Sequence, residues 1–290
     1  MSKIRFYCQK CGNETPKWQG KCSICKEWNT IIEEKIATTQ NTNSNFGISS
    51  SIDSPVLIQD ITNENKIQNQ TQDLELNNVL GGGIVDGSVI LLAGQPGIGK
   101  STLLLQMALL DTKNILYVSG EEAGTQIKIR ADRIGVKNKN CSIYSETSTH
   151  KILSHCEEVK NKYELIIIDS IQTLHSDFIG SPIGSVGQIK QCCSELLKYA
   201  KEKNIAIFLI GHITKEGQIA GPKILEHMVD VVLHFEGEKR HLYRILRPQK
   251  NRFGSTSRLG VYEMLETGLK AVLNPSTILI NDRENKLSGT

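Results

Sequence analysis

The chain has 290 residues, of which 39% are apolar and 22% charged, and a formal charge of 34 − 31 = +3. This composition excludes a collagen, a wholly disordered chain and a disulfide-dense miniprotein, and the length suffices for one large domain with a small module beside it. No apolar run is long enough to span a bilayer, and the first residues lack the apolar stretch and cleavage site of a secretory signal. The expectation is a cytoplasmic chain without a membrane partner.

Residues 1–35 hold four of the eight cysteines as Cys8-x2-Cys11, ten intervening residues, then Cys22-x2-Cys25. In a reducing compartment such pairs are metal ligands rather than disulfides. Each Cys-x2-Cys turn presents two sulfurs to one ion, and two turns complete a tetrahedral Zn2+ site. Four thiolates leave no open position, so the site is structural. Residues 36–72 are rich in Thr, Asn, Gln and Ser and read as a flexible linker.

From about Leu74 apolar runs alternate with helical periodicity. Strands are predicted at Ser88–Ala93, Ile115–Val118, Leu165–Ile168, Ile205–Ile210 and Val229–Phe235. Helices are predicted at Ser101–Leu110, Thr125–Ile134, Thr149–Asn161 and Val186–Lys203. Nearly pure apolar strands separated by amphipathic helices imply an α/β core with a mainly parallel sheet covered on both faces. His241–Leu246, Gly260–Met264 and Leu269–Leu273 then read as hairpins extending one sheet edge. The core is placed at 73–280 and an unstructured tail at 281–290.

Gly94-Gln95-Pro96-Gly97-Ile98-Gly99-Lys100-Ser101, followed by Thr102, fits the phosphate-binding loop G-x4-G-K-[ST] between a strand and a helix. Backbone N–H groups would cradle the phosphates of ATP, Lys100 would reach the β and γ oxygens, and Ser101 would ligate Mg2+. Asp169, at the end of an apolar strand, is a candidate second carrier of Mg2+ through water. Glu121 and Glu122 follow another strand end. Either carboxylate can polarise an attacking water there, with Glu121 favoured, and first-turn acids capping a helix are the competing reading. His212 ends a further strand and is a candidate γ-phosphate sensor. The Gly-rich segments Leu174–Gln188 and Ile213–Lys223 follow strand ends, where open α/β sheets bind ligands. Between Lys239 and Arg258 lie seven Lys or Arg and no acid, which is either a solvated basic face or a DNA contact.

These stretches, with LGGGIVDGSVILLAGQPGIGKSTLLLQ, YVSGEEA, IIIDSIQT, GHITKEGQIAGPKILEHMVD and above all Lys250-Asn251-Arg252-Phe253-Gly254, resemble the bacterial RadA (Sms) family of DNA-repair ATPases. The resemblance covers roughly residues 3–33 and 74–280. It implies a RecA-like core assembled as a homo-oligomeric, hexameric ring on single-stranded and branched DNA. It further implies ATP-driven branch migration or unwinding of recombination intermediates with a RecA-type recombinase, and nucleotide bound between subunits. By the same resemblance, Lys250 and Arg252 would reach a neighbouring subunit's γ-phosphate. A DNA phosphate contact is the competing role for Arg252. Members usually carry a C-terminal Lon-protease-like domain, and the resemblance stops before it. Asp86 stands where the family usually has Pro, and Gln95 where it has Asp; neither removes a phosphate-binding group. A non-catalytic, ATP-controlled zinc-finger adaptor is the alternative function, and a clock-type or kinase relative would leave the cysteines and KNRFG unexplained.

Overall fold

The computed structural model describes residues 3–8, 13–36, 57, 68–135, 138–159, 162–212, 224–237 and 242–272. Cys11, the segment 213–223, the tail 281–290 and most of 36–72 lie outside the described residues. Near the start, β1 (Lys3–Cys8) pairs antiparallel with both β2 (Glu14–Thr15) and β3 (Ile31–Ile36). Among the described residues its core is Cys8, Cys22 and Ile31, with Phe6 and Cys25 against it. A unit of about 35 residues is too short to be stable on apolar burial alone.

The second sheet has nine strands in the order β12-β11-β10-β9-β4-β8-β7-β5-β6. It begins after α1 (Leu74–Leu80), whose N-cap Asp73 accepts from the Leu76 N–H. Then come β4 (Val89–Gly94), α2 (Lys100–Leu110), β5 (Ile115–Ser119), α3 (Gly124–Ile134), β6 (Cys141–Ser145), α4 (Thr149–Glu158) and β7 (Leu165–Asp169). They are followed by α5 (Val186–Lys203), β8 (Ala206–His212), α6 (Ile224–Met228), β9 (Val231–Glu236), β10 (Tyr243–Asn251), β11 (Gly260–Leu265) and β12 (Gly268–Ala271). The six strands from β9 to β6 pair in parallel, and β10–β12 add an antiparallel meander at one edge.

The two faces of the sheet carry separate cores. Ile90, Leu92, Ile115, Tyr117, Leu165, Ile167 and Phe208 pack on the side of α2. Val89, Leu91, Leu116, Val118, Ile166, Ile168 and Leu209 pack against α5. Successive strand side chains point to opposite faces, so a strand buried on both faces must be apolar at every position. The uninterrupted apolar runs follow directly from that requirement.

The sequence reading has no strand at 141–145. β6 is the outermost strand, and Ser142 and Tyr144 alternate with Cys141, Ile143 and Ser145 at a half-exposed edge, so the continuous apolar signature is missing. The helix predicted to Asn161 ends at Glu158. Before α1, Asn69 bridges to Ile84, and the Asn77 side chain accepts from the Thr71 N–H at 2.9 Å, so residues 69–71 pack as part of the nucleotide-loop domain.

Removal of the metal by chelation is expected to unfold the small sheet and leave the large one folded, because a site of clustered thiols supplies the folding free energy of so small a core. Both tryptophans of the chain, Trp18 and Trp28, lie in the small unit. Chelation should therefore change tryptophan emission while the far-ultraviolet melting transition of the α/β domain stays in place. A shift of both together would contradict independent folding.

Candidate functional site

The parallel register brings the carboxyl ends of four strands to one edge. Gly94 of β4 pairs with His212 of β8, and Ser119 of β5 with Asp169 of β7. Every candidate nucleotide residue named from the sequence between Gly94 and His212 lies at or just beyond this edge. Lys250 and Arg252 do not.

The loop from Gly94 to Gly99 runs from β4 into α2 in a shape few residues tolerate. Gly99 is the N-cap of α2 at φ 113°, and a side chain at Gly94 would place its Cβ 2.5 Å from the Phe235 carbonyl oxygen. No side chain caps α2, so its first N–H groups are left for an anion. Gln95, Pro96 and Gly97 are exposed, Ile98 is buried, and Ser101 and Thr102 begin the helix half-buried.

Lys100 is 3% exposed. Its ammonium donates to the carbonyls of Gly94 at 2.8 Å and Gln95 at 2.9 Å, and approaches Nδ1 of His212 at 3.2 Å. Burial pulls the Lys100 pKa down to about 8, against the opposing pull of Asp169 and Glu121. An ammonium only donates, so His212 Nδ1 accepts and the ring hydrogen sits on Nε2. Nε2–H then donates to Glu121 Oε1 at 3.0 Å. The same oxygen accepts from the Ser170 hydroxyl at 2.6 Å. The His212 hydrogen bond, with Ser170 and Lys100 nearby, outweighs burial and holds the Glu121 carboxyl at about 2. Glu121 is therefore an oriented anion bound into a Lys–His–Glu chain.

Glu122 lies elsewhere. Its carboxylate pairs with Arg130 of α3, and its N–H donates to Ser119 Oγ. The two adjacent glutamates thus differ in place: Glu121 faces the loop, and Glu122 anchors the start of α3.

Asp169 is buried at 5% exposure. Burial raises its pKa, while the Tyr117 hydroxyl and Ser101 act in the other direction. Tyr117 donates to Oδ2 at 2.7 Å, and Oδ1 is buried with no hydrogen-bond partner among the described residues. A buried carboxylate oxygen left without a partner, beside the helix-start serine, fits a hard cation such as Mg2+. In the small sheet the sulfurs of Cys8, Cys22 and Cys25 lie within 4.8 Å of one another. A tetrahedral site with Zn–S bonds of about 2.3 Å needs S···S separations of about 3.8 Å. Three soft ligands already gathered at nearly that spacing fit Zn2+.

The basic stretch is not one solvated face. Arg244 is 5% exposed and donates from Nε to the Ile98 carbonyl at 3.2 Å, under the phosphate loop. Lys250 donates to the carbonyls of Glu226, His227 and Val229 at the end of α6. Burial and the neighbouring Arg252 lower its pKa, Asp230 and Glu226 opposing. Arg252 is half-exposed and pairs with Asp230 at 3.2 Å. Asp230, 3% exposed, also accepts from Lys201 at 2.9 Å and from the Val89 N–H at 3.0 Å. Asn251 registers with Val231, and Val231 with Ile90. Asn251 thus lies level with Ile90 near the amino end of β4, about 13 Å along the strand from Gly94 at about 3.3 Å per residue, and two strands to the side. Neither cation reaches the phosphate loop of its own chain.

Three neighbours of the site were not singled out from the sequence: Tyr117, Ser170 and Arg244. Tyr117 looks like one more apolar strand residue. Ser170 carried a signal, since it follows the strand-ending Asp directly. Arg244 was hidden in a run of charges whose burial only the meander decides.

A glycine-rich loop of this form with a buried lysine, ringed by strand-end carboxylates on a parallel sheet, defines a phosphate-loop nucleotide-binding domain. The chain belongs to the AAA domain family, which matches residues 57–218, and a rubredoxin metal-binding domain matches residues 6–33. It is 48% identical over its whole length to the DNA repair protein RadA of Bacillus subtilis and 46% identical over 99% of its length to that of Listeria monocytogenes. It spans 64% and 63% of the length of those relatives. Among solved structures it is similar in fold to the RadB recombinase, with a TM-score of 0.56, 19% identity and coverage of 70% of this chain and 99% of that one. A KaiC-like protein from Pyrococcus horikoshii gives a TM-score of 0.55 at 18% identity, over 68% and 94% of the two chains. The core is therefore RecA-like, preceded by a zinc-ribbon module. Among the described residues no helix is long and apolar enough to cross a membrane.

Two expectations follow. Triphosphate binds the ammonium form of Lys100, which in the free protein gives up its proton near pH 8. Below that pH no proton is needed; above it, binding must take one up. Affinity for ATP should then fall by up to about tenfold per pH unit, and titration calorimetry in buffers of different ionisation heat should show proton uptake. A flat profile to pH 9.5 would contradict the buried ammonium. Separately, Glu121→Gln should retain nucleotide binding and lose about 10²- to 10⁴-fold in hydrolysis, while Glu122→Gln should cost far less. Single-turnover hydrolysis measures both.

Proposed function

We propose that the chain is a DNA-dependent ATP hydrolase of recombination and repair. In this reading it assembles as a ring, most simply a hexamer, on single-stranded and branched DNA, and drives branch migration or unwinding alongside a RecA-type recombinase. The observation that carries the hydrolase reading is the hydrogen-bonded chain from Lys100 through His212 to Glu121 at the phosphate loop. The RadA relatives, named as DNA repair proteins, support the biological setting.

The residues divide the work. The loop N–H groups and the start of α2 hold the phosphates, and Lys100 exchanges its Gly94 and Gln95 carbonyls for the β and γ oxygens. Losing Lys100 frees Nδ1 of His212, so the histidine registers the γ-phosphate and relaxes its hold on Glu121. Glu121 then orients and polarises the attacking water. Ser101 and Asp169 would hold Mg2+, which neutralises charge on the phosphate oxygens when bound. Cys8, Cys11, Cys22 and Cys25 would hold Zn2+ as a structural ion.

Lys250 and Arg252 are read as acting on the nucleotide of a neighbouring subunit. Their distance from the loop of their own chain requires another chain's site if they act on nucleotide at all. Arg252 is the half-exposed partner of a buried carboxylate, so water can take over its guanidinium when it leaves Asp230. Asp230 keeps Lys201 and the Val89 N–H when it does. Lys250 would exchange its three carbonyls at the end of α6 for the same phosphate oxygens.

The adaptor alternative predicts ATP binding without turnover. Turnover measured with and without single-stranded DNA separates the readings: stimulation supports the motor, and bound but unhydrolysed ATP in both conditions overturns it. Lys100→Ala should abolish productive binding or hydrolysis. Arg252→Ala should leave ATP affinity within about twofold and reduce turnover by about 10³-fold or more, as for cations supplied in trans in related phosphoryl-transfer systems. Mixing Arg252→Ala with Lys100→Ala subunits should regain activity, since each mixed interface can unite an intact loop with an intact arginine. Weaker DNA binding with a salt slope reduced by about one, and no regained turnover on mixing, would instead assign Arg252 to a DNA phosphate.

A further inference from the structure

The zinc-ribbon module exposes an aromatic surface that its own fold does not use. Trp18, Ile24 and Trp28 are 60%, 68% and 67% exposed. For side chains this large such exposure is unusual, and here they share one small unit. The two indoles flank a single glycine: a Cβ at Gly20 would sit 3.8 Å from Trp18 Cη2 and 3.8 Å from Trp28 Cζ3. Lys21 pairs with Trp28 across an antiparallel bridge and holds its ammonium 5.3 Å from the ring centroid. Lys17, next to Trp18, and Lys26 are also exposed, and Glu27 is the one acid between Thr15 and Thr30. The backbone fixes this surface. Asn29 N–H donates to the Gly20 carbonyl at 2.8 Å, and Trp18 Nε1–H donates to the Ile31 carbonyl at 3.2 Å.

We propose that this face is a stacking platform for single-stranded DNA. Two exposed indoles that both edge up to Gly20 accept adjacent unpaired bases, and the lysine beside each indole meets the phosphate that links them. Stacking tolerates any base, because every base has a π-face. A duplex hides those faces and does not fit. A zinc tetrathiolate brings a charge of −2, which offsets the lysines, so stacking rather than net charge carries the affinity and the salt dependence is shallow. The face is separate from the nucleotide edge and does not depend on the ATPase reading.

The chain's only two tryptophans both lie in this surface, so tryptophan emission of the full-length, zinc-loaded protein reports it alone. Titration with oligo(dT) of about 16 nucleotides should quench emission saturably, and a duplex of equal length should not. Trp18→Phe and Trp28→Phe, each leaving one reporter, should both still quench. Trp28→Ala should weaken oligonucleotide binding, read by anisotropy of the labelled strand, by about 5- to 150-fold, as expected for one lost base stack. Basal ATPase activity without DNA should not change. Lys21→Gln, at an exposed position that does not threaten the fold, should weaken binding and lower the salt slope by about one. The proposal is overturned if oligo(dT) leaves the emission unchanged at low salt while anisotropy reports binding, since DNA is then held elsewhere. Quenching by a recombinase protein but not by DNA overturns it equally, because the face is then a protein-docking surface. Loss of DNA-stimulated turnover with quenching intact would count against the motor reading and leave the platform standing.

Discussion

A lysine ammonium buried among backbone carbonyls is the charge on which the nucleotide edge depends. Burial of a cation is costly unless every proton finds an acceptor, and Lys100 meets this condition with two loop carbonyls and one imidazole nitrogen. Those acceptors hold the loop in a wound form and fix the His212 tautomer. The tautomer in turn directs Nε2–H at Glu121 and keeps that carboxylate ionised and oriented. A triphosphate offers Lys100 better-matched anionic acceptors, so one exchange of partners would be felt along the whole chain.

The twofold-buried parallel sheet makes that arrangement rigid. The central strands are apolar on both faces, so their register cannot slip without exposing a full set of side chains to the wrong core. Gly94, His212 and Asp169 inherit their spacing from this register, and Glu121, two residues past β5, is then fixed by His212 and Ser170. The antiparallel meander completes the loop's surroundings. Gln106 of α2 exchanges two hydrogen bonds with the Leu269 backbone, at 2.6 and 2.9 Å, and Arg244 supports the Ile98 carbonyl from β10. A change in the meander can therefore act on the phosphate loop through packed contacts.

The same sheet has a second charged end. Asp230 gathers the Val89 N–H, Lys201 and Arg252 at the amino edge of β4. It is balanced by two cations, so it tolerates the departure of one. Glu121 and Asp169 thus sit at one end of the sheet, and Lys250 and Arg252 at the other. This polarity suits a head-to-tail assembly, in which the two ends of neighbouring chains meet.

Much of this was legible from the residues alone. The parallel α/β core follows from apolar runs that only strands buried on both faces need. The phosphate loop follows from glycines at positions that forbid a Cβ, and the metal site from paired cysteines at turn spacing. Those signals are local, because each is set by backbone geometry over a few residues. The edge strand β6 escaped notice because a half-exposed strand has no continuous apolar signature. The choice between Glu121 and Glu122, the hydrogen bonds from Tyr117 and Ser170, the burial of Arg244 and the distance of Arg252 from its own loop were not decided by the sequence. Adjacent glutamates share every local propensity, and a run of arginines reads the same whether solvated or buried. Only the pairing of strands far apart in the chain determines which side chain meets Lys100, which cation lies beneath the loop and which stands at the opposite end of the sheet.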